Sequence, residues 1–356
     1  MSSGSGPRRP RLRRSDCSGP GLRRVRHGRG FTYLDERGER TTDDELLARV
    51  RELAIPPAWQ DVWICPDPWG HLQATGTDAA GRKQYLYHDR WRQQRDRAKF
   101  REMESFAEQL PKLRRRVARD LKGDEVSRAR VLACAVRLLD VGLFRVGGEE
   151  YAEQGGGLGL ATIRREHVSL DDDTALFDYP AKSGVRRKHN VSDAQAIAVL
   201  RALARRRGGP EELLAYREGR RWKPIRSDDI NDYIKEWLGP EFSAKDFRTW
   251  NGTVLAAVAL AGLGPPPSSK TGARRVMNSV AKQVAEVLGN TPAVARRAYI
   301  DPRVFDRYLS GWTIRGAVDG LERIGEGDSP ARRRLERAVL DLLAEDENSS
   351  AIKLAA

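Results

Sequence analysis

The hydrophobic rhythm of this chain changes near residue 95, and that change sets its fold class. From Phe31 to about Arg95 the apolar residues fall in short runs broken by Gly and Asp. Phe31-Thr32-Tyr33-Leu34, Val62-Trp63-Ile64-Cys65, Leu72–Thr77 and Gln84-Tyr85-Leu86-Tyr87 read as strands. One short helix, Thr42 to Ala54, interrupts them, with Leu46, Leu47, Val50 and Leu53 on one face. Beyond Trp91 a helical period takes over. Val131, Leu132, Ala135, Val136 and Leu139 mark a buried helix from Ser127 to Val141, stopped by Gly142. A β interlude follows, in which Thr174–Tyr179 and Val185–Val191 flank Lys182-Ser183-Gly184 as a hairpin. Ser243 caps a helix with Phe247, Trp250, Val254, Leu255 and Val258 in one stripe. Another carries Val276, Val280, Val284, Val287 and Leu288 and closes at Gly289. Thr291-Pro292 opens a fresh helix, which Pro302 ends just past Tyr299; a last amphipathic helix spans Pro330 to Ala344. Strands segregated from helices predict an α+β chain: a small sheet-rich domain over 31–95 and a mainly α-helical one over 96–325, then a C-terminal helix and tail over 326–356.

The segment 1–30 holds nine arginines and few large apolar residues, so it is expected to be a disordered basic tail. It lacks the apolar core of a signal peptide, and no run approaches the ~18 apolar residues of a membrane span, so a cytoplasmic protein is expected. A formal charge of +14 favours a polyanionic partner, because each phosphate neutralised by Lys or Arg releases condensed counterions. Charge alone does not separate DNA, RNA and acidic membrane. Cys17, Cys65 and Cys134 are too scattered for a disulfide framework or a cysteine-built metal site.

Several tempting motifs fail on chemistry. The run from Gly264 to Thr271 imitates a phosphate-binding loop, but Ser269 stands where the second Gly belongs and three prolines lack the N–H groups a phosphate needs. Gly155-Gly156-Gly157-Leu158-Gly159 lacks the third glycine of a dinucleotide fingerprint. Asp171-Asp172-Asp173 reads as an acidic turn. No HExxH or CxxC is present, so no cofactor and no metal are predicted.

The segments that carry chemistry are Arg145-Val146-Gly147-Gly148, the hairpin tip Ala181-Lys182-Ser183-Gly184, Asp246-Phe247-Arg248-Thr249-Trp250, Val287-Leu288-Gly289-Asn290-Thr291-Pro292 and Arg296-Arg297-Ala298-Tyr299. In this order they resemble the active-site segments of type IB DNA topoisomerases of the poxvirus and bacterial kind, over roughly Phe31 to Tyr308. The resemblance implies a clamp-shaped, monomeric, nucleoid-associated enzyme acting on duplex DNA, with the family's Arg, Lys, Arg, His/Asn and Tyr falling on Arg145, Lys182, Arg248, Asn290 and Tyr299. It implies a tyrosine that attacks a phosphodiester, giving a 3′-phosphotyrosyl link and a free 5′-hydroxyl strand, without metal or ATP.

The residue types suit that chemistry. Ionising a tyrosine at pH 7 costs about 4 kcal/mol, which cationic neighbours reduce. Arginine offers a planar fork to phosphoryl oxygens, and a flexible lysine suits a proton donor to the leaving oxygen. Asparagine replaces the poxvirus histidine; it donates a similar hydrogen bond but does not titrate near neutrality. Gly81-Arg82-Lys83-Gln84-Tyr85-Leu86-Tyr87 also resembles the family's major-groove segment, which assigns Lys83, Gln84, Tyr85 and Tyr87 to DNA contact, although the two tyrosines can equally be core. Lys245 stands where tyrosine recombinases, the nearest rival, show the His of an HxxR box, and joins the DNA-contacting set. The other rival is a DNA-binding protein of the same fold without catalysis.

Overall fold

A computed structural model describes residues 10–153, 155, 157–319, 330–346 and 348–355. It comprises two compact units that meet in the sequence between Arg101 and Glu102.

The first unit is built on a five-stranded antiparallel sheet of β1 (Leu22–His27), β2 (Gly30–Leu34), β3 (Gln60–Ile64), β4 (Leu72–Thr77) and β5 (Lys83–Tyr87), in the order β2-β1-β3-β4-β5. Helix α1 (Asp44–Glu52), capped by the Asp43 side chain, covers one face with Leu46, Val50 and Leu53. Strand register puts alternate rows on opposite faces. Leu22, Ile64, Ala74 and Leu86 pair across four strands and join the core cluster. The adjacent row, Arg23, Trp63, Thr75 and Tyr85, faces away from it.

Strand β1 corrects the expectation of a disordered tail over 1–30, of which residues 1–9 lie outside the described residues. A strand needs only one buried face, and Leu22 supplies its anchor. Arg24, which composition counts as unburiable, donates to the carbonyls of Ile55, Pro56 and Trp59 at 3.1, 3.0 and 2.8 Å and stacks 4.2 Å from the Phe31 ring centroid. The segment before β1 is also tied down: Arg13 N–H donates to Trp69 O at 2.9 Å, and Ser15 N–H to His71 Nδ1 at 2.9 Å.

The expected boundary at 95/96 also moves, because α2 (Asp89–Asp120) runs unbroken through it and leaves no linker there. The second unit then contains α3 (Arg128–Gly142), α4 (Glu149–Glu153), a three-stranded sheet of β6 (Val168–Leu170), β7 (Ala175–Pro180) and β8 (Arg186–Val191), and α5 (Ala194–Ala204). A hairpin of β9 (Ala215–Glu218) and β10 (Arg221–Pro224) precedes α6 (Ser227–Leu238), α7 (Ala244–Ala261), α8 (Lys270–Leu288), α9 (Pro292–Ala298) and α10 (Pro302–Leu309). Strand β11 (Trp312–Thr313), α11 (Arg315–Val318), α12 (Pro330–Leu343) and β12 (Lys353–Leu354) complete it, β11 pairing with β12. The α+β class therefore holds: a small antiparallel sheet followed by a mainly helical core.

Helix α3 is the axis of that core, buried along nearly its whole length and packed on α5, α6 and α7. It ends differently from expectation. Gly142 is still helical, and the left-handed residue is Leu143, at φ 54°. That conformation costs a residue with a Cβ roughly 1–2 kcal/mol. The expected separation of 326–356 from the mainly α-helical domain is corrected as well, although the boundary itself falls among undescribed residues 320–329. Leu335, Ala338, Val339 and Leu342 of α12 are core residues. Inside, Arg114 donates to both Asp140 and Glu336, and Arg332 to Asp140, Glu336 and the Asn251 side chain. Burial alone would push the Asp140 carboxyl up; Arg114 and Arg332 hold it well below the ordinary carboxylate range. Unpairing a buried charge costs about 3–5 kcal/mol, so this network locks α12 to α3 and α7.

Candidate active site

Four of the five expected site residues, Arg145, Lys182, Arg248 and Tyr299, line one cleft of about 430 Å³ in the second unit, together with Lys245. The fifth, Asn290, is joined to it through Arg145.

Arg145 follows the left-handed turn at Leu143. Its segment is fixed by Leu160 N–H donating to Arg145 O and Ala161 N–H to Val146 O, both at 2.8 Å. The glycine run that fails as a dinucleotide fingerprint serves here as a seam. Gly157, at φ 93°, lies so close to the hairpin tip that a Cβ would sit 2.3 Å from Ala181 O and 2.7 Å from Lys182 N. Leu158 N–H donates to Pro180 O at 2.8 Å. The seam thus brings the tip carrying Lys182 against the Arg145 loop. Lys182 begins a single 3₁₀ turn between β7 and β8 and is exposed.

Arg248 lies in the second turn of α7, a helix closed at its start by a reciprocal Ser243–Asp246 capping box. It is 2% exposed and donates to Leu143 O and, at 2.6 Å, to Leu288 O. Its guanidinium carbon sits 5.2 Å from the Tyr299 ring centroid, and its Nε has no hydrogen-bond partner among the described residues. Burial pushes its pKa down to about 10 and the nearby Tyr299 opposes that fall, so it remains a cation at neutral pH.

Asn290 follows the left-handed Gly289 that ends α8. Its Oδ1 accepts from Arg145 Nη2, which also donates to Gly289 O at 2.8 Å. Arginine can only donate, so this contact fixes the orientation of the amide. The Nδ2 group is buried and unpartnered among the described residues. A buried donor left without an acceptor costs about 1–3 kcal/mol, and an anion brought to it removes that cost.

Tyr299 occupies the C-cap of α9, its N–H donating to Ala295 O at 2.9 Å. The helix end is seated on α7: a Cβ on Gly252 would lie 2.5 Å from Tyr299 O and 3.2 Å from Tyr299 Cβ. Thr253 Oγ1 accepts the Asp301 N–H at 3.0 Å and closes the turn behind the tyrosine. Among the described residues, the cleft lining thus brings four cationic side chains and a phenol together without a carboxylate. Such a set favours an anion with several oxygens.

The remaining expected contacts, Lys83, Gln84, Tyr85 and Tyr87, belong to the first unit. Tyr85 and Tyr87 share the sheet face away from the core, their rings 6.1 Å apart and 17° from parallel, with Lys83 Nζ 5.9 Å from the Tyr85 centroid. Neither tyrosine is part of the core cluster. Gln84 points to the other side of β5 and donates from Nε2 to Asp78 Oδ2 at 2.8 Å. Sequence reasoning missed Gly252 and the Leu143 turn. Local pattern carries no signal for either, since each matters only through a partner far along the chain.

Comparison with known proteins agrees with this architecture. The family model for the eukaryotic DNA topoisomerase I catalytic core matches residues 88–309, and that for the bacterial DNA topoisomerase IB N-terminal domain matches residues 30–78. DNA topoisomerase 1B of Acanthamoeba polyphaga mimivirus is 31% identical over 290 residues, covering 79% of this chain and 85% of the relative. DNA topoisomerase 1B of Vaccinia virus is 22% identical, covering 78% and 87%, and DNA topoisomerase 1 of Rabbit fibroma virus is 24% identical, covering 79% and 90%. The chain belongs to the type IB DNA topoisomerases.

Proposed function

We propose that this enzyme relaxes supercoiled duplex DNA by cutting and resealing one strand through Tyr299. The carrying observation is the cleft itself: Arg145, Lys182, Lys245 and Arg248 beside a phenol, with no carboxylate among the described residues of the lining. The Tyr299 Oη attacks phosphorus and releases its proton to solvent. The bond from phosphorus to the 5′-oxygen breaks, and Lys182 protonates that oxygen. The product is a 3′-phosphotyrosyl link and a 5′-hydroxyl strand; reversal reseals the DNA. One phosphoester replaces another, so the exchange needs no ATP, and supercoil strain drives rotation of the free strand. Arg145 and Arg248 neutralise the phosphoryl oxygens, the unpartnered Nδ2 of Asn290 donates to a non-bridging oxygen, and Lys245 holds a neighbouring phosphate. The test is plasmid relaxation in EDTA without ATP: activity supports this reading, and DNA binding without relaxation supports a non-catalytic binder instead.

On the first unit, Lys83, Tyr85 and Tyr87 offer DNA a cation and two stacked rings, and Gln84 reaches a base edge by giving up Asp78. The whole catalytic set lies in one chain, which supports action as a monomer. Duplex DNA as substrate supports a nucleoid-associated location.

Two outcomes follow for the site. If Lys182 is the general acid, Lys182→Ala slows cleavage about 10²–10⁴-fold. A substrate whose 5′-bridging oxygen is replaced by sulfur, which leaves without protonation, should restore most of that loss. Unchanged deficits on both substrates would assign Lys182 another role. Gly252→Ala forces a methyl group against the Tyr299 backbone. Moving that helix end should slow single-turnover cleavage about 10²-fold with duplex affinity retained. A wild-type rate would show that the tyrosine tolerates the displacement.

A further inference from the structure

The C-terminal turn of α8 presents three successive carbonyls, and each takes an arginine from a different element. Val287 O accepts from Arg187 Nη2 of β8 at 2.8 Å, Leu288 O from Arg248 Nη2 of α7 at 2.6 Å, and Gly289 O from Arg145 Nη2 of the post-α3 loop at 2.8 Å. The last carbonyls of a helix lack intrahelical donors and carry the negative end of its dipole, so three guanidinium groups there are favourable. Two of the three line the catalytic cleft; Arg187 does not. Instead its Nη1 fills the space beside Gly289, where a Cβ would lie only 2.1 Å away. Its guanidinium is half-buried, and burial lowers its pKa, with Tyr179 opposing and Arg145 adding to the fall.

We propose that Arg187 is a positioning residue for strand cleavage. Its planar fork fastens the turn from Val287 to Gly289, and the next residue is Asn290, whose side chain holds Arg145 and keeps Nδ2 available. Lysine can reach one carbonyl but cannot lie flat on Gly289. Arg187 thus acts through Asn290 without touching the phosphate, and this inference rests on the reading of Asn290 as a phosphate donor.

The test is a double-mutant cycle of Arg187→Ala and Asn290→Ala, with Arg187→Lys alongside, read as single-turnover cleavage at saturating duplex, duplex affinity and melting temperature. The expected result for Arg187→Ala is a loss of ~10–100-fold in cleavage, the size expected of a small misplacement, with duplex affinity within about twofold. Arg187→Lys should recover part of that loss. The double variant should be no slower than Asn290→Ala alone, because the two substitutions remove the same interaction. Multiplying losses would overturn the proposal by giving Arg187 an independent action. A lowered melting temperature with an unchanged rate would overturn it by making Arg187 a stability residue. An Arg187→Ala rate equal to wild type while Asn290→Ala is slow defeats this proposal alone; a wild-type rate for Asn290→Ala defeats the reading of Asn290 and this proposal with it.

Discussion

Tyr299→Phe is expected to lose at least about 10⁴-fold in relaxation, because on the proposed mechanism it removes the one oxygen that forms the covalent bond and leaves every cation in place. The phenyl ring keeps its packing beside the Arg248 guanidinium, and the backbone hydrogen bond to Ala295 is untouched. Folding and duplex binding should therefore match wild type. A melting curve and a duplex titration check that half of the expectation; a timed relaxation assay checks the other. Substantial relaxation by this variant would move the nucleophile elsewhere.

Arg248→Ala is the second large effect. This side chain bridges the carbonyls of Leu143 and Leu288, so it joins the end of α3 to the end of α8 while standing against Tyr299. On the proposed mechanism its loss removes a transition-state cation, for which about 10³–10⁵-fold in rate is a fair scale. It also leaves two carbonyls without their donor, each at a cost of about 1–3 kcal/mol, partly offset because a buried charge disappears too. Melting temperature should fall with the rate. Arg248→Lys separates the two contributions: charge returns, but one ammonium cannot replace a fork that spans two elements. We expect the lysine variant to remain about 10²-fold slow even where it is folded, the scale of losing one preorganised donor. Full activity for Arg248→Lys would mean that charge alone matters here.

What the sequence makes legible is what local pattern encodes. The strand from Leu72 to Thr77, the helix starts at Ser127, Ser243 and Thr291, and the glycine closing α8 appear as expected, because each depends on neighbours within a few residues. The order of the five site segments is likewise a property of the chain. Features set by distant partners stay hidden. Arginine-rich β1 looks unfoldable until Arg24 finds three carbonyls some thirty residues away. The boundary at 95 looks like a change of domain because strands give way to helix, yet α2 runs straight through it. Asp140 becomes intelligible only with Arg332, 192 residues later. The site follows the same rule. Its residue types can be read from sequence, but the orientation of the Asn290 amide depends on Arg145, and the seat of Tyr299 depends on the missing Cβ of Gly252.

The central claim is that Tyr299 carries the DNA on a 3′-phosphate, and trapping the covalent complex tests it most directly. Wild-type protein is reacted with a duplex in which the fragment 3′ of the cleavage site is too short to stay bound once cut. The adduct is then digested with trypsin and mapped by mass spectrometry, with the polarity of the joined strand read from end labels. The account predicts DNA on the peptide containing Tyr299, joined through its 3′-phosphate, with a free 5′-hydroxyl on the released fragment. Linkage to another residue or to a 5′-phosphate, or binding without any adduct, would contradict it.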